Sequence, residues 1–192
     1  MVKENQGFNM VRITDCVAKD GTGIYELWLS MFNRCYREDS LSRVPSYAGC
    51  SVTGDFIYLS KFKEWCKLQK GFGNKGWQLD KDILVKGNKV YEPNTCCFVP
   101  KDLNTLFTHR RKDRGKYPVG VSYKPRIRKY VAQISRFKEV VHLGSFNTPE
   151  EAFQAYKQAK EAYIKEVAEK WKDKIDIRVY EALMKYEVNI DD

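Results

Sequence analysis

Histidine is scarce in this sequence, since His109 and His142 are the only two among 192 residues. Long apolar runs are absent as well: none approaches the ~20 residues that a membrane-spanning helix needs. The start, MVKENQGF, lacks the basic segment followed by an apolar one that marks a secretory leader. We therefore expect a cytoplasmic protein with no membrane partner.

Paired cysteine spacings are also missing. The six cysteines stand at positions 16, 35, 50, 66, 96 and 97, and no two of them form a C-x-x-C pair. Zinc-binding modules usually show two such pairs, so we expect no zinc. The scattered spacing favours reduced thiols, most of them buried in a core.

Positive charge, by contrast, is concentrated in one stretch. From His109 to Asn147, here called the basic segment, there are eleven lysines and arginines and only two acidic residues, Asp113 and Glu139. The segment therefore carries +9, which equals the net charge of the whole chain. Charge confined to one small unit is typical of a surface that binds nucleic-acid phosphates. The alternative is a basic face that is merely solvated.

The basic segment and the residues after it predict three strands and a helix. Alternating apolar residues mark strands at 119–123, 130–135 and 138–146. Thr148 and Glu151 have the spacing of a capping box, and the proline after Thr148 suits the first position of a helix. Small alanines on one face of that helix would let it lie close against the sheet.

The part of the chain before the basic segment predicts two core helices, a β-hairpin and a short helix. Apolar stripes with helical spacing mark the two helices at 24–36 and 58–68. Residues 78–85 and 90–99 then predict the two strands of the hairpin, and 101–107 predicts the short helix.

The basic segment and the residues after it contain GVSYK, RKYVAQI and HLGSFNTPEEAFQAYKQA in that order. This pattern, about forty residues long, resembles the plant ethylene-response-factor (Apetala-type) DNA-binding domain, which is also found on phage and mobile-element endonucleases. The resemblance implies a three-stranded sheet in the DNA major groove, with basic and aromatic side chains on its exposed face. It implies DNA contacts by Tyr123, Lys124, Arg126, Arg128, Tyr130, Gln133, Ser135, Arg136 and Lys138. Arg110 and Arg111, in the linker before the sheet, are further candidates for binding phosphates.

Residues 24–107 contain Trp28, Arg34-Cys35-Tyr36, Leu79-Asp80-Lys81-Asp82, Tyr91, Cys96 and Asn104 in an order that resembles phage HNH endonucleases. A hairpin followed by a helix is the ββα-metal arrangement of that family. The resemblance implies catalytic roles for Asp80, Lys81 and Asn104, and a divalent-ion site formed by Asp80, Asn104 and Asp82. Mg²⁺ or Mn²⁺ would suit these oxygen ligands. The position of the family's histidine base holds Lys81, and neither histidine of this chain fits the motif.

Three interpretations of this hairpin stay open. It can belong to a metal-dependent, homing-type endonuclease that nicks or cuts DNA. It can be a decayed nuclease scaffold in a protein that binds or regulates DNA. It can also be an ordinary hairpin whose solvated Asp80 and Asp82 pair with Lys81 and Lys89. Double-stranded DNA is the expected partner in the first two, and we expect a phage-encoded protein, favoured as a monomer, in a bacterial host.

Together the patterns predict an α+β protein with two domains. An HNH-like nuclease domain, a ββα-metal unit with supporting helices, is expected at 1–108, followed by a basic linker at 109–118. An Apetala-type DNA-binding domain is expected at 119–192, with a three-stranded antiparallel sheet packed on a helix and a helical C-terminal extension.

Overall fold

A computed structural model describes residues 12–107, 116–137 and 139–192 and shows an α+β protein. Contacts divide the chain into two units. The described residues up to Asn104, with Lys174–Val179, form the first unit, and those of Thr105–Asp173 and Tyr180–Asp192 form the second. Of the helices in these ranges, none combines the length and apolar character that crossing a membrane requires.

The helices of the first unit confirm the apolar stripes. Helix α1 is Ile24–Tyr36, α2 is Glu38–Arg43 and α3 is Leu59–Leu68, with 3₁₀ turns at Pro45–Tyr47 and Gly54–Ile57. The fully buried indole of Trp28 donates to the Phe56 carbonyl oxygen at 2.7 Å. The Phe56 ring packs edge-on against Phe62 and Trp65, so α1 and α3 share one aromatic core.

The predicted hairpin of the first unit is present in a different form. Strand β2 (Trp77–Asp80) pairs antiparallel with β4 (Cys97–Pro100), and α4 (Lys101–Asn104) follows, continued by a 3₁₀ turn at Thr105–Phe107. Residues 90 and 91 form a separate short strand, β3, which pairs in parallel with β1 at residues 51 and 52. The two strands predicted over 78–85 and 90–99 are therefore much shorter, and a long irregular connection joins β2 to β4.

The second unit confirms the three strands and the capped helix. Strands β5 (Val121–Lys124), β6 (Lys129–Arg136) and β7 (Glu139–Phe146) form an antiparallel sheet with β6 in the middle. The sheet packs on α5 (Pro149–Trp171), and α6 (Ile177–Met184) follows along the chain.

Close contact between this sheet and α5 requires a residue without a side chain. Gly120 has φ +76°, and a Cβ there would lie 2.0 Å from the ring of Tyr156 on α5. The neighbouring core contains Ile134 from β6 and Phe153 from α5, with Val121 packed against them. One face of the sheet is thereby closed by the helix.

The capping box at the start of α5 yields a stability prediction. The Thr148 hydroxyl accepts from the Glu151 amide at 3.2 Å, and the Glu151 carboxylate accepts from the amides of Asn147 and Thr148. Thr148→Ala should lower the free energy of unfolding by about 1 kcal/mol, because an amide in the first turn loses its partner. Urea unfolding followed by circular dichroism measures the change.

The matched control is Thr148→Ser, which keeps the accepting hydroxyl and should unfold close to the parent. Equal unfolding free energies for Thr148→Ala and the parent would contradict the role given to this cap.

Candidate nucleic-acid interface

The central strand β6 presents its side chains alternately to the two faces of the sheet. Ala132 and Ile134 are buried on the side that carries α5. Gln133 and Ser135 lie on the opposite side and are exposed. We call this second side, which α5 does not cover, the open face.

Strand register adds residues of β7 to the open face. Gln133 pairs with His142, and Ser135 pairs with Val140, so the four side chains are neighbours across the two strands. His142 and Val140 are exposed. The sequence alone did not single out His142 for this surface, although its closeness to Gln133 follows once the strands are paired. Val131 lies on the same face but is buried, so the exposed positions form two groups.

The second exposed group is the turn between β5 and β6. It carries four cations, Lys124, Arg126, Arg128 and Lys129. We call this turn, together with its four cations, the basic hairpin. Lys124 and Lys129 are paired directly across the two strands, where like charges repel. The Lys129 ammonium donates to the Asn147 side-chain oxygen. In the part of the chain that the structure describes, no carboxylate forms an ion pair with any of these four side chains.

The backbone of the basic hairpin is strained at one position. Arg128 has φ +52°, in the left-handed region that favours glycine. A residue with a side chain costs roughly 1–2 kcal/mol in this conformation. The chain therefore keeps a cation where a glycine would be more stable, which points to a use for that charge.

The two predicted aromatic contacts lie on the side that carries α5. Tyr123 and Tyr130 pair across β5 and β6, two residues along each strand from the core pair Val121 and Ala132. The two pairs therefore share a face of the sheet. Their rings are 5.1 Å apart, and Tyr117 packs edge-on against Tyr130 at 5.2 Å. The alternation thus brings both tyrosines into a ring cluster and not onto the open face, where the resemblance implied them.

Arg136 likewise turns towards α5. Its guanidinium is hydrogen-bonded to the Glu166 carboxylate and lies 5.7 Å from the centroid of the Tyr163 ring. The hydrogen bond from Lys170 and the charge of Arg136 hold the pKa of Glu166 below its ordinary value. The charge that the resemblance assigned to a DNA contact is thus paired within the unit.

Three further residues predicted to contact DNA, Arg110, Arg111 and Lys138, lie outside the described residues.

In the first unit, the Asp80 carboxylate ends strand β2. Its Oδ1 accepts from the amides of Asp82 and Ile83 at 2.9 and 2.8 Å, which fixes the side chain over the following bend. Burial and the nearby charge of Asp82 raise the pKa of Asp80 above its ordinary value. The protein therefore holds a carboxylate in a place where its negative charge is unfavourable, as is frequent at functional sites.

Lys81 is placed inside the fold. Its side chain is 4% exposed, and its ammonium donates to Asp82 Oδ2 and to the Asn88 carbonyl oxygen, both at 2.9 Å. Burial works to lower the pKa of Lys81, but the hydrogen bond and charge of Asp82 outweigh it and the pKa is raised. A buried, protonated ammonium cannot accept a proton, so Lys81 cannot take the role of the family's histidine base. Lys89 donates to the Ser46 carbonyl oxygen and not to a carboxylate.

Asn104, at the end of α4, faces β2. Its side-chain amide donates to Gln78 Oε1 at 3.2 Å. Gln78 and Asp80 are two residues apart on one strand, so they share a face of it and stand roughly 6–7 Å apart. The structure therefore brings Asn104 and Asp80 to the same side of the hairpin.

The side-chain oxygens near the end of β2 are of the kind that binds a hard divalent ion. Carboxylate and amide oxygens with water are the ligands that Mg²⁺ and Mn²⁺ take, and Asp80, Asp82 and Asn104 offer them. Within the ranges that the structure describes, no three histidine, cysteine, aspartate or glutamate side chains gather as a metal site. An ion held here would thus rely on the amide and on water for much of its shell.

The cysteines are reduced, and five of the six are buried, as the spacing indicated. Burial raises the pKa of Cys35 and of Cys96 to about 12, so both thiols stay protonated at neutral pH. Protonated thiols are poor metal ligands and poor nucleophiles.

No protein-family model matches this chain, and neither a curated protein nor a solved structure matches it.

The two aspartates of the hairpin should respond oppositely to neutralisation. Asp80→Asn should raise the unfolding free energy at neutral pH, because the amide still accepts from both backbone amides while an unfavourable charge is removed. A raised carboxyl pKa makes the folded state hold its proton longer, so the parent loses stability as pH rises from the ordinary value near 3.9 through the raised one. The gain from Asp80→Asn should therefore shrink on acidification, as urea unfolding at several pH values would measure.

Asp82→Asn is the matched comparison. It should lower the unfolding free energy by about 1–3 kcal/mol, because the buried Lys81 ammonium loses its charged partner. Stability changes of the same sign for the two variants would contradict this account of the site.

Proposed function

We propose that this protein binds double-stranded DNA through the basic hairpin and the open face of its three-stranded sheet. The observation that supports the proposal is the basic hairpin itself, four cations without a described carboxylate partner. Duplex phosphates would supply the missing negative charge and relieve the repulsion between Lys124 and Lys129. The resemblance to the Apetala-type domain points to the same partner.

Residues beyond the basic hairpin would supply the recognition of bases. The strands of a β-sheet fit the major groove, and Gln133 and His142 carry groups that can hydrogen-bond to base edges there. Ser135 lies beside them. We place this activity in the cytoplasm of a bacterial host, in a phage-encoded monomer.

Replacing the two arginines of the hairpin turn tests the proposal. In the double variant Arg126→Ala with Arg128→Gly, duplex binding should weaken, and the slope of log affinity against log salt should flatten by about 0.9 for each phosphate that the variant no longer neutralises. The glycine should also relieve the strained backbone, so the variant should unfold at the same or higher urea concentration. Fluorescence anisotropy with a labelled duplex between about 50 and 200 mM salt measures the affinity and its salt slope.

Arg136→Ala is the control, since it removes one arginine charge from the same sheet. Its ion pair with Glu166 lies on the other side, so it should bind DNA with the parent's salt slope. The proposal fails if the double variant keeps the parent's affinity and slope, or if Arg136→Ala flattens the slope as much.

A second candidate function is metal-dependent hydrolysis of the DNA backbone, and one observation favours it. Asp80 and Asn104 lie on the same side of the β2–β4 hairpin. The chain keeps a carboxylate at Asp80 although burial and the charge of Asp82 disfavour its ionised form. Asp80, Asp82 and Asn104 would hold Mg²⁺ or Mn²⁺, which would bind the scissile phosphate and stabilise the leaving oxygen. Asp80→Asn is also expected to raise the unfolding free energy at neutral pH. Nicking activity and stability can therefore be measured in the same variant.

Plasmid nicking tests this second candidate. The parent should convert supercoiled plasmid to the nicked form with Mg²⁺ or Mn²⁺ and not in chelator. Asp80→Asn should abolish nicking while duplex binding stays at the parent's level, because the docking surface lies in the second unit. Nicking that persists in chelator or in Asp80→Asn would contradict the metal site, and no nicking with either ion would leave DNA binding as the sole function.

A further inference from the structure

The first unit also contains a small cleft that neither function uses. Its volume is about 260 Å³, slightly below the usual range for ligand sites. Part of its lining is apolar and comes from Leu27, Phe72, Leu79 and Phe98. The rest of the lining is formed by Arg34, Asn74, Trp77, Gln78 and the glycines at 71 and 73. A cleft of this size and lining suits one small polar group on an apolar base.

Of the described residues that line this cleft, Arg34 of α1 is the only charged one. It is partly buried, with its guanidinium 5.8 Å from the centroid of the Tyr47 ring and beside the Tyr91 hydroxyl. Burial raises the pKa of Tyr91, so that hydroxyl is neutral at physiological pH. Across the ranges that the structure covers, no carboxylate pairs with Arg34. A partly desolvated guanidinium without a counter-charge is costly unless an anion binds it.

The glycine-rich wall fixes the shape of the cleft. Gly71 has φ +89°, and a Cβ there would lie 2.1 Å from the Trp77 ring, so the backbone and the indole are in direct contact. The turn closes with a hydrogen bond from the Asn74 amide to the Gly71 carbonyl oxygen at 3.2 Å. The indole of Trp77 is thereby held in place in the lining of the cleft, which also includes the buried Leu79.

The cleft also adjoins the β2–β4 hairpin. Gln78 lines it and at the same time accepts the hydrogen bond from Asn104. Gln78 therefore links the cleft to the side of β2 that carries Asp80 and Asn104.

We propose that the cleft binds a phosphate group of a nucleotide, with the Arg34 guanidinium as its principal donor. The guanidinium presents paired N–H groups that match phosphate oxygens, and the Trp77 ring offers a surface against which a sugar or base can pack. The phosphate can belong to a DNA strand or to a free nucleotide, and the DNA source alone rests on the proposed function.

The test is an NMR titration of the full-length, ¹⁵N-labelled protein at constant ionic strength. Three probes are added in separate titrations: inorganic phosphate, deoxyadenosine monophosphate and a short DNA duplex. The Trp77 indole N–H and the backbone amides of Gly71 and Gly73 should shift and saturate. Arg34→Gln should weaken this binding by about tenfold, the loss expected for one charge-assisted hydrogen-bonding partner. Lys67→Gln, which removes an exposed cation from α3, should titrate as the parent does.

Arg34→Lys is the control for a folding defect in Arg34→Gln. It keeps a cation beside Tyr47 and Tyr91 but loses the paired N–H donors. It should fold as the parent does and bind phosphate more weakly. Shifts with inorganic phosphate or the mononucleotide support the site with a free source, and shifts with the duplex alone support it with DNA as the source.

The inference is overturned if no probe shifts these signals, or if both Arg34 variants titrate as the parent does. Its failure is distinguishable from that of the proposed function. Phosphate shifts at the cleft in a protein that does not bind duplex would overturn only the proposed function, and duplex binding without cleft shifts would overturn only the inference.

Discussion

The two-residue period of strand β6 is the constraint on which the second unit depends. Ala132 and Ile134 must lie under α5 to close the core, so Gln133 and Ser135 are forced outward. A slip of one residue would bury the polar pair and expose the apolar one, which makes the register strongly specified. The pairing then carries His142 to the same side as Gln133, with a register shift in β7 that leaves Leu143 packed against the core. One packing requirement therefore creates both the core and the surface opposite it.

The same constraint sorts the positive charges by role. Arg136 has the parity of Ile134, so its charge is neutralised by Glu166 on α5 and contributes to the fold. Lys124 and Lys129 stand side by side across the two strands, and no carboxylate among the described residues forms an ion pair with either. In the first unit, Lys81 is neutralised by Asp82, whereas Arg34 has the side chains of Tyr47 and Tyr91 beside it. Total charge is thus a poor guide to binding. A cation is available to bind a phosphate only if no carboxylate of the protein already pairs with it.

Much of the fold was predictable from local patterns, and the site was predictable only in part. Helical stripes gave α1 and α3, and the capping spacing at Thr148 gave the start of α5, because these signals lie within a few residues of each other. The pairing of β3 with β1 was missed, since it joins segments about forty residues apart and has no local signal. The burial of Lys81 was missed for the same reason. The side taken by Tyr130 followed from its parity with Ala132, but the resemblance suggested the other face.

The central claim is that DNA meets the open face of the sheet and not the exposed side of α5. Site-specific photo-crosslinking tests it most directly, with a photoreactive amino acid placed at Val140 on the open face or at Gln158 on α5, both of which are exposed. On irradiation with a labelled duplex at moderate salt, the protein substituted at position 140 should form a covalent protein–DNA product and the protein substituted at 158 should not. Equal yields from the two positions, or a product from 158 alone, would contradict the account.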